Sequence, residues 1–164
     1  RLVMESSMNW DDYMFSIAKV VASRSTCPSR KVGAVIVDPD THFIIATGYN
    51  GAPRGTAHCD EECGKRESGK EWIKCKAIHG ELNAIVAAAN AGKSVHGAEM
   101  YLTTAPCIFC SRILINAGIS KVNAMSHYSH PDAEDLLHEG GVTLKVFSGV
   151  PTPIMQYREV VLEE

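Results

Sequence analysis

Apolar residues first recur at helical spacing at Trp10, Met14, Ile17, Ala18 and Val21. This stripe predicts an amphipathic helix that ends near Ser23. Asn9 stands where an N-cap is needed, and Asp11 and Asp12 fall in the first turn, where the helix dipole favours carboxylates. The period then changes. Val32 to Asp38 is a run of apolar, mostly β-branched residues and reads as a buried strand. Pro39-Asp40-Thr41-His42 carries turn chemistry, and Phe43 to Tyr49 reads as the antiparallel partner strand.

From Asn50 to Lys76 no apolar period survives. A loop of this length inside a compact domain is usually functional, and a metal is a natural means of ordering it. Periodicity returns with a helix over His79–Asn90, stopped by Gly92, and a short strand over Glu99–Thr103. Pro106 opens a third helix that ends at Gly118, Lys121–Ser126 is a strand, Pro131–Glu139 is a helix closed by Gly140-Gly141, and Val142–Phe147 is the last strand. Met155 to Leu162 reads as a final helix or strand. The order α-β-β-α-β-α-β-α-β predicts a largely parallel sheet covered on both faces, made mixed by its opening hairpin.

At 164 residues this is the length of one domain, expected to span residues 8–164. Arg1 to Ser7 fits no element, and Met8 is the expected natural start. With 45% hydrophobic and 21% charged residues the composition is that of a globular protein. Sixteen Lys and Arg against nineteen Asp and Glu give a net charge of −3. The basic face that long nucleic acid requires is missing, while a small anion held by a few cations remains compatible. No apolar stretch is long enough for a membrane span and the start lacks a signal peptide, so a cytoplasmic location is expected. In that setting the six cysteines, at 27, 59, 63, 75, 107 and 110, point to metal binding before disulfides.

Two motifs open helices: His79-Gly80-Glu81 and Pro106-Cys107-Ile108-Phe109-Cys110. Cysteines three apart share a helix face, and the positive end of the helix favours their thiolates, the form that binds zinc. His79 would complete a His-Cys-Cys set. Three protein ligands leave a fourth tetrahedral position for water, which marks a catalytic zinc site. Glu81, two residues beyond the histidine, is placed to move protons without ligating the metal. Alone, a Cys-x-x-Cys is equally a redox pair or half of a structural site, and a His-x-Glu says almost nothing. Jointly, with proline before the first cysteine, they form the zinc deaminase signature.

With these motifs the chain resembles the cytidine deaminase superfamily, and within it the deoxycytidylate (dCMP) deaminases. Four stretches carry the resemblance: Cys27 to Val35, Gly48 to Gly55, His79 to Ile85, and Thr103 to Cys110. The resemblance implies a three-layer α-β-α fold with a mixed five-stranded sheet in order 2-1-3-4-5. It implies hydrolysis of dCMP to dUMP and ammonia, by attack at C4 of cytosine with Glu81 shuttling protons, as a supply of dUMP for thymidylate synthesis. It assigns Asn50 to the sugar, with Asn-Gly turn chemistry as the competing reading. It sets Ser29, Arg30 and Lys31 near the phosphate and Tyr128 near the substrate. The family usually has alanine where Gly80 stands, which bears on the small side chain expected beside the base.

The remaining cysteines, Cys27, Cys59, Cys63 and Cys75, resemble the ligands of a second, structural zinc found in some dCMP deaminases, with His58 able to replace one thiolate. Four thiolates would close a tetrahedral site and order the 50–76 insertion. The resemblance also implies a homo-oligomer, commonly a hexamer, regulated by dCTP and dTTP. Gly51 and Arg54 lie where such an effector, with Mg2+ on its phosphates, is expected. The competing readings are a deaminase of nucleosides, of dCTP or of a tRNA base, and a non-catalytic zinc module. Glu81 speaks against the last, since a structural site needs no acid–base group.

Overall fold

The computed structural model describes residues 7–60, 63, 75–127, 131–147 and 149. The expectations for Tyr128 and for the tail from Met155 to Leu162 fall outside them. Among the described residues α1 (Trp10–Ser23) begins at the expected cap: Asn9 Oδ1 accepts the Asp12 N–H at 2.9 Å. Strands β1 (Gly33–Val37) and β2 (Ile44–Tyr49) form the hairpin. Then follow α2 (Gly80–Asn90), β3 (Glu99–Leu102), α3 (Ile108–Asn116), β4 (Lys121–Ala124), α4 (Asp132–Glu139) and β5 (Thr143–Val146). No helix among the described residues is long and apolar enough to cross a membrane.

The five strands form one sheet in the order β2-β1-β3-β4-β5, as the resemblance implied. It is less parallel than the alternation of elements predicts. Strand β1 runs antiparallel to both neighbours, and only β3–β4 and β4–β5 are parallel pairs. The reason is an interleaved strand: β2 and β3 point the same way, joined through α2, and β1 lies between them. The parallel crossover is there, but its two strands do not touch.

Helix α1 covers one face, where Met14, Phe15 and Ala18 meet Val35, Val37 and Tyr101. The other face holds the larger core. There Ala84 and Ala88 of α2, Leu114 of α3 and Leu137 of α4 close on Ala34, Ile36, Met100, Leu102 and Val122. Strand residues thus divide between two buried faces by the period-two alternation of side chains. The α2 face toward β2 is lined by alanine, so the backbones pack closely. A Cβ at Gly48 would run into the backbone of Gly80 and Ala84. That contact sets how deep the start of α2 sits against the sheet.

Candidate metal centre

After β2 the chain leaves the sheet and returns at Ile78. Gly51 and Ile78 exchange backbone hydrogen bonds, Gly51 N–H to the Ile78 carbonyl at 3.1 Å and Ile78 N–H to the Gly51 carbonyl at 2.8 Å. Whatever path the chain takes between them, His79 is delivered beside the end of β2. Asn83 reinforces this point, its Nδ2 donating to the Tyr49 carbonyl at 2.8 Å.

His79 is the N-cap residue of α2 and Cys107 that of α3, both with extended backbone (φ −70°, ψ 154° and φ −76°, ψ 169°). The third helix therefore starts two residues later than Pro106, and Cys107 stands just outside it. Cap and third helical position still lie on one side of the helix, so Cys107 and Cys110 face the same way. Neither His79 nor Cys107 caps its own helix with its side chain. His79 Nδ1 lies 3.5 Å from Cys107 Sγ and 3.4 Å from Cys110 Sγ, and the three donor atoms fall within 4.8 Å of one another. Both cysteines are buried, and His79 opens to solvent.

The electrostatics of this cluster follow from its contacts. The hydrogen bond with Cys110 drives the Cys107 thiol well below its ordinary range, while the same bond, together with burial, drives Cys110 upward. The hydrogen bond to Cys107 raises His79 above the ordinary imidazole range. Glu81, in the first turn of α2, is 3% exposed, and burial raises its carboxyl. Its Oε2 is buried without a hydrogen-bond partner.

These residues fit zinc. One imidazole and two thiolates are borderline-soft donors of the kind zinc takes. Among the described residues no further His, Cys, Asp or Glu joins the group, so the set stops at three. Beside it stands a carboxylate with an unused oxygen, and a buried acceptor without a partner is costly unless something donates to it.

Of the expected substrate residues, those described lie around the end of β2. Asn50 is buried; its Oδ1 accepts the Val32 N–H at 2.8 Å and its Nδ2 donates to the Arg30 carbonyl at 2.7 Å. It thereby holds the exposed Ser29, Arg30 and Lys31 loop against the end of β2. The Val32 carbonyl is also what a Cβ at Gly80 would approach, at 3.3 Å, along with the Gly48 carbonyl at 3.3 Å. A methyl at this position would therefore lie against the backbone carbonyls of Val32 and Gly48. Of the second cysteine set, no three of Cys27, Cys59, Cys63 and Cys75 come within ligand distance of one another. Thr26 Oγ1 and His58 Nδ1, 3.3 Å apart, do bring together the neighbours of Cys27 and Cys59. Gly51 is buried in its bridge with Ile78, and Arg54 is exposed.

Comparison with known proteins agrees with this centre. Residues 8–126 match the family model of the cytidine and deoxycytidylate deaminase zinc-binding region. ComE operon protein 2 of Bacillus subtilis is 39% identical over 141 residues, which cover 84% of this chain and 71% of that protein. The deoxycytidylate deaminase of Schizosaccharomyces pombe is 36% identical over 145 residues, and there the match spans 85% of this chain but only 44% of the relative. The crystal structure of the dCMP deaminase of cyanophage S-TIM5 in complex with dCMP and dUMP superposes with a TM-score of 0.74 at 29% identity, covering 87% of this chain and 100% of that one. The sheet, the three-donor cluster and the matched family together define the class, that of the zinc-dependent hydrolytic deaminases. This chain belongs to the cytidine and deoxycytidylate deaminase family.

Proposed function

We propose that the protein is a zinc-dependent dCMP deaminase, converting dCMP and water to dUMP and ammonia. One observation carries the reading: His79, Cys107 and Cys110 converge within 4.8 Å while the buried Glu81 keeps an unpartnered oxygen beside them. The names of the relatives and the nucleotides bound by the cyanophage enzyme support the choice of substrate.

In this reading His79 Nδ1, Cys107 Sγ and Cys110 Sγ hold the zinc, which when bound supplies a Lewis acid able to lower the pKa of water to about 7. Glu81 takes a proton from water at Oε2 and passes it to N3 of the base, then carries the second proton, from the new hydroxyl at C4, to the amine, so that ammonia leaves and a carbonyl remains. Burial favours the protonated carboxyl that the second half of this task needs. Asn50 holds the deoxyribose, and Ser29, Arg30 and Lys31 meet the phosphate, Arg30 with the bidentate geometry a guanidinium offers. Tyr128 contributes near the substrate.

The same reading extends to a cytoplasmic homo-oligomer, a hexamer by resemblance, with dCTP and dTTP acting near Gly51 and Arg54 together with Mg2+. A second zinc among Cys27, Cys59, Cys63 and Cys75, with His58 as a substitute ligand, would order the insertion. The Thr26–His58 contact supports it, since it draws two of those cysteines' neighbours together. Ammonia release from dCMP, deoxycytidine and dCTP, with and without dCTP and dTTP as effectors, tests the proposal. Turnover of dCMP above the other two is expected. Zinc-loaded protein that releases ammonia from none of them overturns it.

A further inference from the structure

Ser25 is a buried hydroxyl, 4% exposed, between the end of α1 and the loop that precedes β1. Its Oγ donates to the Asn50 carbonyl at 2.7 Å and accepts the Cys27 N–H at 3.2 Å. Its own N–H donates to the Ala22 carbonyl at 3.0 Å, which fixes it to the last turn of α1. It thus joins a helix end, a loop and the exit of β2 at one atom.

What this holds in place is Asn50. Beyond the side-chain bonds to Arg30 and Val32, the Asn50 N–H donates to the Val32 carbonyl at 3.3 Å. A side-chain amide has two N–H donors and a carbonyl with two lone pairs. After the bonds to the Arg30 carbonyl and the Val32 N–H, one donor and one acceptor are left. A 2′-deoxyribose 5′-phosphate carries a single free hydroxyl, at C3′, which also donates once and accepts. The match is directional, so it depends on where the Asn50 backbone points. The same peptide group carries the Gly51 N–H that donates to Ile78, while the return bond, from the Ile78 N–H to the Gly51 carbonyl, lies one peptide further on and keeps the approach to His79 closed without Ser25.

We propose that Ser25 is a positioning residue for sugar recognition: by tying the Asn50 carbonyl to the Cys27 N–H it aims the Asn50 amide at the 3′-hydroxyl of the nucleotide. This rests on the assignment of Asn50 to the sugar made above.

The test compares dCMP with 2′,3′-dideoxycytidylate, which lacks that hydroxyl, in wild type, Ser25→Ala and Asn50→Ala. Ser25→Ala is expected to raise KM for dCMP about threefold to tenfold, the worth of one hydrogen bond, with kcat unchanged and the KM for the dideoxy substrate unmoved. A loss equal for both substrates makes Ser25 a general structural residue and overturns the proposal, as does no loss for either. If Asn50→Ala discriminates between the two substrates and Ser25→Ala does not, the Ser25 proposal alone falls. If Asn50→Ala affects both equally, the sugar assignment fails and takes this one with it. Ser25→Cys keeps the side-chain shape with a weak donor and carries the same comparison should the alanine variant not fold.

Discussion

His79 Nδ1 stands 3.4 Å from Cys110 Sγ although 31 positions separate the two residues. No local rule brings them together. Two helix starts, each reached from a strand of one sheet, present them to each other. A cluster made this way depends on the whole fold, and a cation that joins it should return stability to that fold.

Metal removal should therefore cost more than activity. At a free zinc concentration a thousand times its Kd, binding stabilises the native state by about 4 kcal/mol, equivalent to roughly 10 °C in Tm for a chain of this size. Differential scanning calorimetry before and after chelation should record a drop of that order, reversed by zinc. Cys110→Ser should bind no zinc at this centre in a metal assay and should show no dependence of Tm on zinc.

Glu81→Gln separates chemistry from metal binding. It should lower turnover by about 10²- to 10⁴-fold, the usual worth of a positioned acid–base group, with zinc content unchanged. Stability of the chelated protein should respond in the opposite direction. Burial raises the folded-state carboxyl. A group raised on folding contributes its stability below its unfolded value, and that contribution is lost as pH rises through the folded one. The glutamine variant should accordingly gain on wild type as the pH of a thermal melt is raised from acid to neutral. A constant difference between the two would contradict this.

Arg30→Ala should reduce kcat/KM for dCMP by about 10- to 100-fold, the range for a charge-assisted hydrogen bond, and leave deoxycytidine nearly unaffected. Equal losses on the two substrates would remove Arg30 from the phosphate.

The glycines at the start of α2 should behave unlike each other. Gly48→Ala drives a methyl into the Gly80 and Ala84 backbone. A cost of about 3 kcal/mol or more is expected by chemical denaturation, since backbone cannot step aside as a side chain can. At Gly80 the nearest atoms to an added methyl are carbonyl oxygens at 3.3 Å. Crowding there is offset by the better helix propensity of alanine, so Gly80→Ala should change stability by no more than about 1 kcal/mol and retain activity.

On the opposite face of the sheet, Tyr101 donates its hydroxyl to Asp11 Oδ1 at 2.7 Å, joining β3 to the first turn of α1. Burial, followed by this bond and the charge of Asp11, raises the phenol above its ordinary value. Its stabilising effect is then complete below about pH 10, the ordinary tyrosine pKa, and fades as pH climbs past that through the folded value. Tyr101→Phe should cost about 1 kcal/mol at neutral pH. In a spectroscopic titration, one tyrosine should remain un-ionised after the exposed ones have lost their protons.

Much of this architecture is legible in the chain because the signals are local. The α1 stripe and its Asn9 cap place a helix to the residue, and the β1 and β2 runs are bounded by turn chemistry. The metal cluster is legible because His-x-Glu and Pro-Cys-x-x-Cys each carry their own spacing. What the chain does not announce depends on contacts between distant segments. The antiparallel pairing of β1 with β3 follows from a strand lodged inside a crossover, which the order of elements does not encode. Ser25 looks like an ordinary residue after a helix, and only burial beneath the Asn50 carbonyl gives it a task. Asn83 lies inside a motif whose histidine and glutamate draw attention, yet its contribution is a backbone bond to Tyr49 that spacing cannot foretell. Cys107 reads as the first turn of a helix, whereas the extended backbone of a cap is what turns its sulfur toward His79.

The paired bonds between Gly51 and Ile78 work like the neck of a purse. They fix where the chain leaves β2 and where it re-enters, so the station of His79 is set at the neck. Protein engineers who alter this part of the chain have here a pair of anchor residues to leave untouched.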